Sequence, residues 1–253
     1  MKNYLLISFL CFVALGCSKE NNLPLALVPT QLLKTIEHTS NNQNWKEDYI
    51  YDAEDRLVQV NDWRGAGMKY ELTYNEARLV EVQTFQISND RPLFRDELTY
   101  DQQGRLFKIF NYSSSNGEDL TLSKTSELVY DKEGRIRQRK QAFARAPEVV
   151  RVETYFWKDG NIIQVVYGDN DGNTSYIFSY EYDQAINYLQ YRKHKVEDLT
   201  NWNRNNVIQS ELTQDNTGLI DLACNPCEAK VEYDGNYPAT MEWPFLRYDL
   251  TFE

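Results

Sequence analysis

The sequence predicts an all-β fold: an antiparallel meander of about eight hairpin repeats that forms a curved, partly rolled sheet. Aromatic residues make up 13% of the chain, with 18 Tyr against 11 Gly and 7 Pro, a composition that suits strands better than helices or disorder. One short pattern, Tyr-Asp-x-x-Gly-Arg-Leu, returns in variants along the chain. Outside residues 184–206, no segment keeps a 3.6-residue apolar period over ten residues or more.

The clearest copy of the pattern, residues 98–106, is interpreted as one β-hairpin. Asp101 and Gly104 fit positions i and i+3 of a type I turn, where an Asx hydrogen bond and a glycine with positive φ are favoured. The pairing that follows places Tyr100 opposite Leu106 and Asp101 opposite Arg105. Each copy therefore predicts two strands, one tip and a fixed register.

Neither face of this hairpin is purely polar. Strict alternation along the strands would place one apolar set, Leu98, Tyr100, Leu106 and Phe110, on one face and Phe107 and Ile109 on the other. A flat two-layer sheet would expose one of these sets. A twisted meander that partly rolls on itself would bury one face, so we expect a curved sheet.

Eight copies of the repeat follow one another, and four of them are clear. The clear copies run from Tyr51 to Leu57, Tyr74 to Leu79, Tyr100 to Leu106 and Tyr130 to Ile136. The later copies drift and lie at Trp157 to Ile162, Tyr182-Asp183, Gln214 to Leu219 and Tyr233 to Tyr237. The predicted hairpin tips are Asp52 to Arg56, Asp101 to Arg105, Asp131 to Arg135 and the type I′ pair Asp159-Gly160. The predicted return turns are 40–44, 64–67, 88–91, 113–119, 144–147 and 168–173.

The stretch 184–206 interrupts the repeats as a long loop or a short helix. It contains Trp202, whose neighbours include Asn201, Asn203 and Arg204. An indole ringed by amides and a guanidinium suits a polyol ligand, and long insertions on a rigid scaffold commonly carry binding groups. These four residues are therefore the predicted ligand-binding set. The alternative is that the insertion plugs one end of the rolled sheet and buries Trp202.

The N-terminus has the pattern of a lipoprotein signal peptide. An apolar run of about a dozen residues, too short to span a bilayer as a helix, leads to Ala14-Leu15-Gly16-Cys17. We expect residues 1–16 to be removed, Cys17 to carry lipid, 17–30 to form a tether and 31–253 to fold as one β domain. The alternative is an ordinary secretory signal that leaves Cys17 unmodified. Ser18 favours the outer membrane, with the facing side left open.

Composition argues against several classes of function. The formal net charge is −11, with no basic face to gather phosphates, so nucleic acid is not an expected partner. Neither His38 nor His194 suggests a metal site, and no nucleophile elbow, metalloprotease helix or phosphate-binding loop occurs. The loop 168–173 resembles a calcium loop, but its glycine falls one place early, which favours a hairpin turn. We expect no metal, no cofactor and no catalytic residues.

Two cysteines remain after the signal peptide and the lipid site, in Cys224-Asn225-Pro226-Cys227. In an oxidising envelope we predict a disulfide between them, because the ends of a tight turn lie within about 7 Å. The alternative is a redox site, since Cys-x-Pro-Cys is the thioredoxin pattern. That chemistry needs a cysteine at a helix N-terminus, whereas the alternation that follows predicts a strand.

The repeat Tyr100 to Leu106 and its copy Tyr130 to Ile136 resemble the tyrosine–aspartate repeats of the Rhs and teneurin shells. Nearly the whole mature chain resembles uncharacterised lipoproteins of the Bacteroidota with a lipobox, a run of such hairpins, an Asn-Asn stretch like Asn205-Asn206 and a closing copy like Tyr233 to Pro238. Eight copies are too few for a closed Rhs shell, so the encapsulating role is not implied.

Two classes of function follow from these observations. The first is an anchored, non-catalytic binding module for a glycan or another extracellular polymer. The second is a scaffold lipoprotein that contacts another envelope protein through an exposed sheet edge. An aromatic surface on the concave face would favour the first class, and an uncovered edge strand would favour the second.

Overall fold

A computed structural model describes residues 31–40, 43–114, 119–185, 187–188, 192–196, 203–217, 224–244 and 246–253. Seventeen strands make up the fold: β1 (Leu33–Ser40), β2 (Asn44–Tyr51), β3 (Leu57–Asp62), β4 (Met68–Asn75), β5 (Arg78–Gln86), β6 (Arg91–Tyr100), β7 (Leu106–Ser113), β8 (Thr121–Tyr130), β9 (Ile136–Phe143), β10 (Ala146–Lys158), β11 (Asn161–Asp169), β12 (Thr174–Tyr182), β13 (Val207–Asp215), β14 (Cys227–Glu228), β15 (Lys230–Asp234), β16 (Tyr237–Trp243) and β17 (Leu246–Phe252). Within the described ranges, no helix has the length and apolar character needed to cross a membrane.

The strands form one antiparallel sheet in which chain neighbours pair. Each strand from β1 to β13 pairs with the next along the chain, β14 pairs with β13, and β15, β16 and β17 pair in sequence. β17 pairs in turn with β1, and only Ala229 separates β14 from β15. The Ala229 N–H donates to the Ile208 carbonyl, which keeps this segment against β13. The predicted antiparallel meander is confirmed, and its two ends are joined where β13 contacts residues 227–229.

The hairpin tips have the predicted turn chemistry. At the tip between β6 and β7, Gly104 N–H donates to the Asp101 carbonyl at 2.9 Å, and Gly104 has a φ of 79°. Asp101 Oδ1 accepts from the backbone N–H groups of Gln103 and Arg105 at 3.0 and 2.8 Å, and Oδ2 accepts from Arg105 Nε at 2.8 Å. The tips at Asp52 and Asp131 carry the same side-chain bonds.

The type I′ pair Asp159-Gly160 is also confirmed, with φ values of 51° and 82°. The 168–173 loop is a hairpin turn, as the sequence favoured. Its Asp169 Oδ1 accepts from the N–H groups of Asp171 and Asn173, so this carboxylate closes the turn as Asp101 does.

Tyrosine hydroxyls link each copy of the repeat to the preceding one. The donors bond the main-chain carbonyl of the residue that ended the previous copy: Tyr74 to Leu57, Tyr100 to Leu79, Tyr130 to Leu106 and Tyr182 to Ile162, with Trp157 Nε1 donating to Ile136 in the same way. Tyr51, in the first copy, donates to the Leu33 carbonyl at the start of β1. Arginine also contacts the next copy of the repeat: Arg105 lies over the ring of Tyr130, 4.4 Å from its centroid. Tyrosine and arginine therefore hold neighbouring hairpins together, beyond the cross-strand pairing that the sequence predicted.

The inner face of the sheet carries the apolar core. Leu98 and Ile109 lie opposite each other and both are buried, so they share the inner face. The prediction that placed them on opposite faces is wrong, because a register shift between Thr99 and Tyr100 interrupts the strict alternation. Phe107, by contrast, is 38% exposed.

Candidate functional site

The insertion at 184–206 occupies the tip of one repeat. Asp183 Oδ1 accepts from Asn206 N–H and Asp183 Oδ2 accepts from Asn206 Nδ2, both at 3.0 Å. These bonds match those of Asp101 with Arg105, and Tyr182 lies opposite Val207 as Tyr100 lies opposite Leu106. The hairpin therefore keeps its Tyr-Asp start and its return strand, and the insertion replaces the short turn between them.

Buried amides hold the two ends of the insertion. Asn203 Oδ1 accepts from Ile162 N–H at 2.7 Å, and Asn203 Nδ2 donates to the Tyr182 hydroxyl at 2.8 Å. Asn161 Nδ2 donates to Asn205 Oδ1, and Asn161 Oδ1 accepts from the Asn205 backbone N–H, both at 3.0 Å. These side chains lie in the interior and bind the protein's own atoms.

The predicted ligand-binding residues fall into two groups. Asn203 is buried in the amide cluster, and Arg204 is half-buried, with its N–H 3.3 Å from the Gly160 carbonyl. Trp202 and Asn201 lie outside the described residues. The contacts of Asn203 favour the plug alternative, and a ligand role for the four residues stays a prediction. The sequence predicted a long loop or a short helix here. Residues 192–196, which the structure describes, form a turn.

The middle of the insertion reaches the interior of the sheet through Arg192. Its Nη2 donates to Glu47 Oε1 at 2.8 Å, although the two residues are 145 positions apart. Glu47 is 2% exposed, accepts a bond from the Tyr49 hydroxyl at 2.5 Å and lies 3.4 Å from His38 Nε2. Burial alone would raise the pKa of Glu47, but the His38 contact and the Arg192 charge outweigh burial and hold that pKa far below its ordinary value. Glu47 is therefore an ionised anchor for the insertion.

His194 is a buried residue that, within the described part of the chain, forms no hydrogen bond through either ring nitrogen. It is 3% exposed and packs against the rings of Tyr70 and Tyr49, at centroid distances of 4.6 and 6.0 Å. Burial lowers the pKa of His194 well below its ordinary value of 6.5; Glu47 opposes the shift, while Lys195 and Arg192 add to it. The ring is therefore neutral at pH 7, with one donor and one acceptor nitrogen.

A cavity of about 530 Å³ lies between the insertion and the inner wall formed by strands β4 to β9. The insertion contributes His194, Lys195 and Val196, and the wall includes Phe94, Asp96, Asn111, Tyr112, Lys124 and Phe143. Asn111 is 6% exposed and donates from Nδ2 to Asp96 Oδ1 at 2.6 Å. Within the described ranges, its Oδ1 accepts no hydrogen bond. Two buried polar groups without a hydrogen-bond partner thus line one cavity. Most buried polar groups in proteins have such a partner.

Sequence reasoning missed this cavity. His194 reads as part of a basic run, Arg192 to Lys195, and Asn111 as an ordinary strand residue. The charged run inside an insertion could have indicated the site. Charged side chains are buried only where oppositely charged or hydrogen-bonding groups pair with them.

Cys224 and Cys227 form a disulfide with their Cα atoms 5.1 Å apart. Cys227 begins β14, so a strand follows the pair, as the sequence pattern predicted. Among the described residues, no cluster of three or more His, Cys, Asp and Glu side chains is placed to hold a metal ion. Cys17, the predicted lipid site, lies outside the described residues.

Comparisons with known proteins find similar solved structures. A porin-like protein from Bacteroides vulgatus aligns with a TM-score of 0.47 and 13% identity over 88% of this chain and 99% of that chain. A porin-like protein from Bacteroides uniformis aligns with a TM-score of 0.40 and 12% identity over 89% and 98%. The Photorhabdus luminescens Tc holotoxin pore aligns with a TM-score of 0.37 and 14% identity, over 79% of this chain and 12% of that one. No family model and no curated protein matches the sequence.

Proposed function

We propose that this protein is a non-catalytic binding module of the bacterial envelope, anchored through lipid on Cys17, that takes part of a glycan or other extracellular polymer into the interior cavity. The observation that carries the proposal is the pair of buried polar groups without a hydrogen-bond partner, on His194 and at Asn111 Oδ1, in two residues that line one cavity. A volume of about 530 Å³ lies within the usual range for ligand pockets, which combine apolar walls with a few placed polar groups.

The sheet geometry supports binding more than the scaffold alternative. A scaffold that works through β-strand addition needs an uncovered edge, because main-chain groups on that edge supply the affinity. β1 and β17 pair with each other, and β14 and β15 are joined through Ala229. Pairing with β17 covers the edge of β1, and β13 is bonded to β14 at Gln209 and Ser210, so the chain itself covers part of the edge that a partner strand would need.

The test is binding to a glycan array and to polysaccharide extracted from bacterial envelopes. A bulky side chain at the cavity wall, Ser113→Trp, should abolish capture of any polymer that the wild-type protein retains. The matched control is Thr125→Trp on the neighbouring strand β8, one position from the buried Ser126 and therefore on the opposite face. Equal capture by wild type and both variants would refute a role for the cavity.

Trp202→Ala tests the ligand-binding residues that the sequence predicted. A fall in Tm of several degrees with unchanged capture would assign Trp202 to the plug. Unchanged Tm with lost capture would assign it to the ligand site.

Mass spectrometry of the mature N-terminus tests the anchor. An acylated Cys17 is expected, and an unmodified terminus elsewhere would refute lipidation.

A further inference from the structure

We infer that the unit which enters the cavity is a single neutral sugar ring, held by hydroxyl contacts to His194 and Asn111 and by stacking at Phe94. This inference rests on the proposed function and adds the chemical class of the ligand. Three features of the cavity carry it: its hydrogen-bonding groups, its charges and its apolar rim.

The hydrogen-bonding groups match hydroxyls. Neutral His194 offers one donor and one acceptor nitrogen, and Asn111 Oδ1 offers an acceptor. A hydroxyl group donates and accepts at once, so hydroxyls satisfy all three atoms. A carboxylate only accepts and would leave Asn111 Oδ1 unpaired, while an ammonium only donates and would leave the His194 N–H unpaired. Leaving a buried partner unpaired costs affinity, so the cavity discriminates against both ions.

The charges of the wall argue against a cationic ligand and place one carboxylate next to Asn111. Asp96 lines the cavity next to Asn111, so an acidic sugar would bring a second carboxylate toward the first. Lys124 and Lys195 line it as well, so an amino sugar would meet like charge. Lys195 Nζ donates to the Tyr70 hydroxyl at 2.7 Å and lies 4.4 Å from the Tyr70 ring centroid. One aspartate and two lysines leave the lining with a formal charge of +1, so its charges oppose an amino sugar, whereas discrimination against an acidic sugar comes from the hydrogen-bonding groups and the nearby Asp96.

The rim of the cavity carries an exposed aromatic ring, that of Phe94. Phe94 lines the cavity and is 49% exposed, and it lies opposite Ser113 on β7 and opposite Thr84 on β5. A pyranose ring presents C–H groups on its faces and hydroxyls at its edge, which fits an exposed aromatic face beside buried polar groups. The volume of about 530 Å³ holds one ring with room for a linkage toward the mouth.

Saturation-transfer NMR on the full-length protein measures this selectivity even at weak affinity. The probes are D-glucose, D-galactose and D-mannose, together with the uronic acid and the 2-amino sugar of each. Phe94→Ala removes the aromatic ring at the rim, and His194→Phe keeps a ring while removing both nitrogens. Phe156→Ala is the matched control, because Phe156 is another strongly exposed phenylalanine, at 46%, and does not line the cavity.

At least one neutral hexose should bind tenfold or more tightly than its acidic and amino counterparts. Phe94→Ala and His194→Phe should each weaken that hexose by about tenfold, with Phe156→Ala unchanged. Tighter binding of a charged sugar, with loss in the cavity variants, would overturn the inference and leave the proposed function standing. Hexose binding that neither cavity variant alters would also overturn it. Absence of binding to every sugar and every envelope polymer would overturn both.

Discussion

Replacing Arg192 by methionine should destabilise the fold by removing the anchor of the insertion. Methionine keeps most of the aliphatic stem but cannot bond Glu47, whose carboxylate is 2% exposed. Glu47 would then be a buried charge with the Tyr49 hydroxyl and His38 as its remaining partners. An ionised carboxylate that has lost its main counter-charge is among the most destabilising changes in an interior.

The structure sets the size of this effect. Breaking a buried ion pair from one side costs about 3–5 kcal/mol, and the retained Tyr49 and His38 contacts place this case near the lower end. For a domain of this size, about 3 kcal/mol corresponds to a fall in Tm of about 6–12 °C. Adding Glu47→Gln to Arg192→Met removes the unpaired charge, so the double variant should recover part of the loss.

Thermal unfolding followed by circular dichroism, with chemical denaturation as a second measure, tests this prediction. The control is Arg247→Met, which breaks the exposed ion pair with Asp249 and should leave Tm close to the wild-type value. If Arg192→Met unfolds within about 2 °C of wild type, or if Glu47→Gln makes it less stable still, the insertion does not depend on a buried charge pair. The reasoning about the plug would then be wrong.

Four further predictions concern the repeats, His194 and Glu47. Tyr130→Phe removes the hydroxyl bond to the Leu106 carbonyl and should lower the free energy of unfolding by about 1 kcal/mol, measured in urea. Gly134→Ala should cost about 1–2 kcal/mol from backbone conformation alone, because Gly134 has a φ of 78° and an added Cβ meets no atom within 4 Å; an unchanged midpoint would contradict that assignment. Stability should fall as pH drops below about 6.5, because the unfolded chain binds a proton at His194 before the folded chain does, and His194→Phe should remove this step. A second loss should begin below about 4.5, where the unfolded chain protonates Glu47 before the folded chain does, and it should persist in His194→Phe.

The candidate site was only partly predictable. The sequence singled out the insertion at 184–206, and that segment does supply one wall of the cavity. It pointed to Trp202 and its amides, whereas Asn203 serves the framework and His194 lines the cavity. From sequence alone, a histidine between two lysines is expected to be exposed to solvent. Its burial becomes apparent only when the contact of the nearby Arg192 with buried Glu47 is known.

The sequence by itself determined the hairpins. Asp at the first turn position, with Gly or, in the first copy, Asp55 at the fourth, fixes a tip through bonds spanning at most four residues, so Asp52, Asp101 and Asp131 could be placed without a structure. The tertiary structure decided which side chains share an inner face, because a bulge such as that between Thr99 and Tyr100 shifts the register without a local signature. It also decided that the sheet ends meet and that Arg192 finds Glu47, since closure sums the twist of many strands and that contact spans 145 positions.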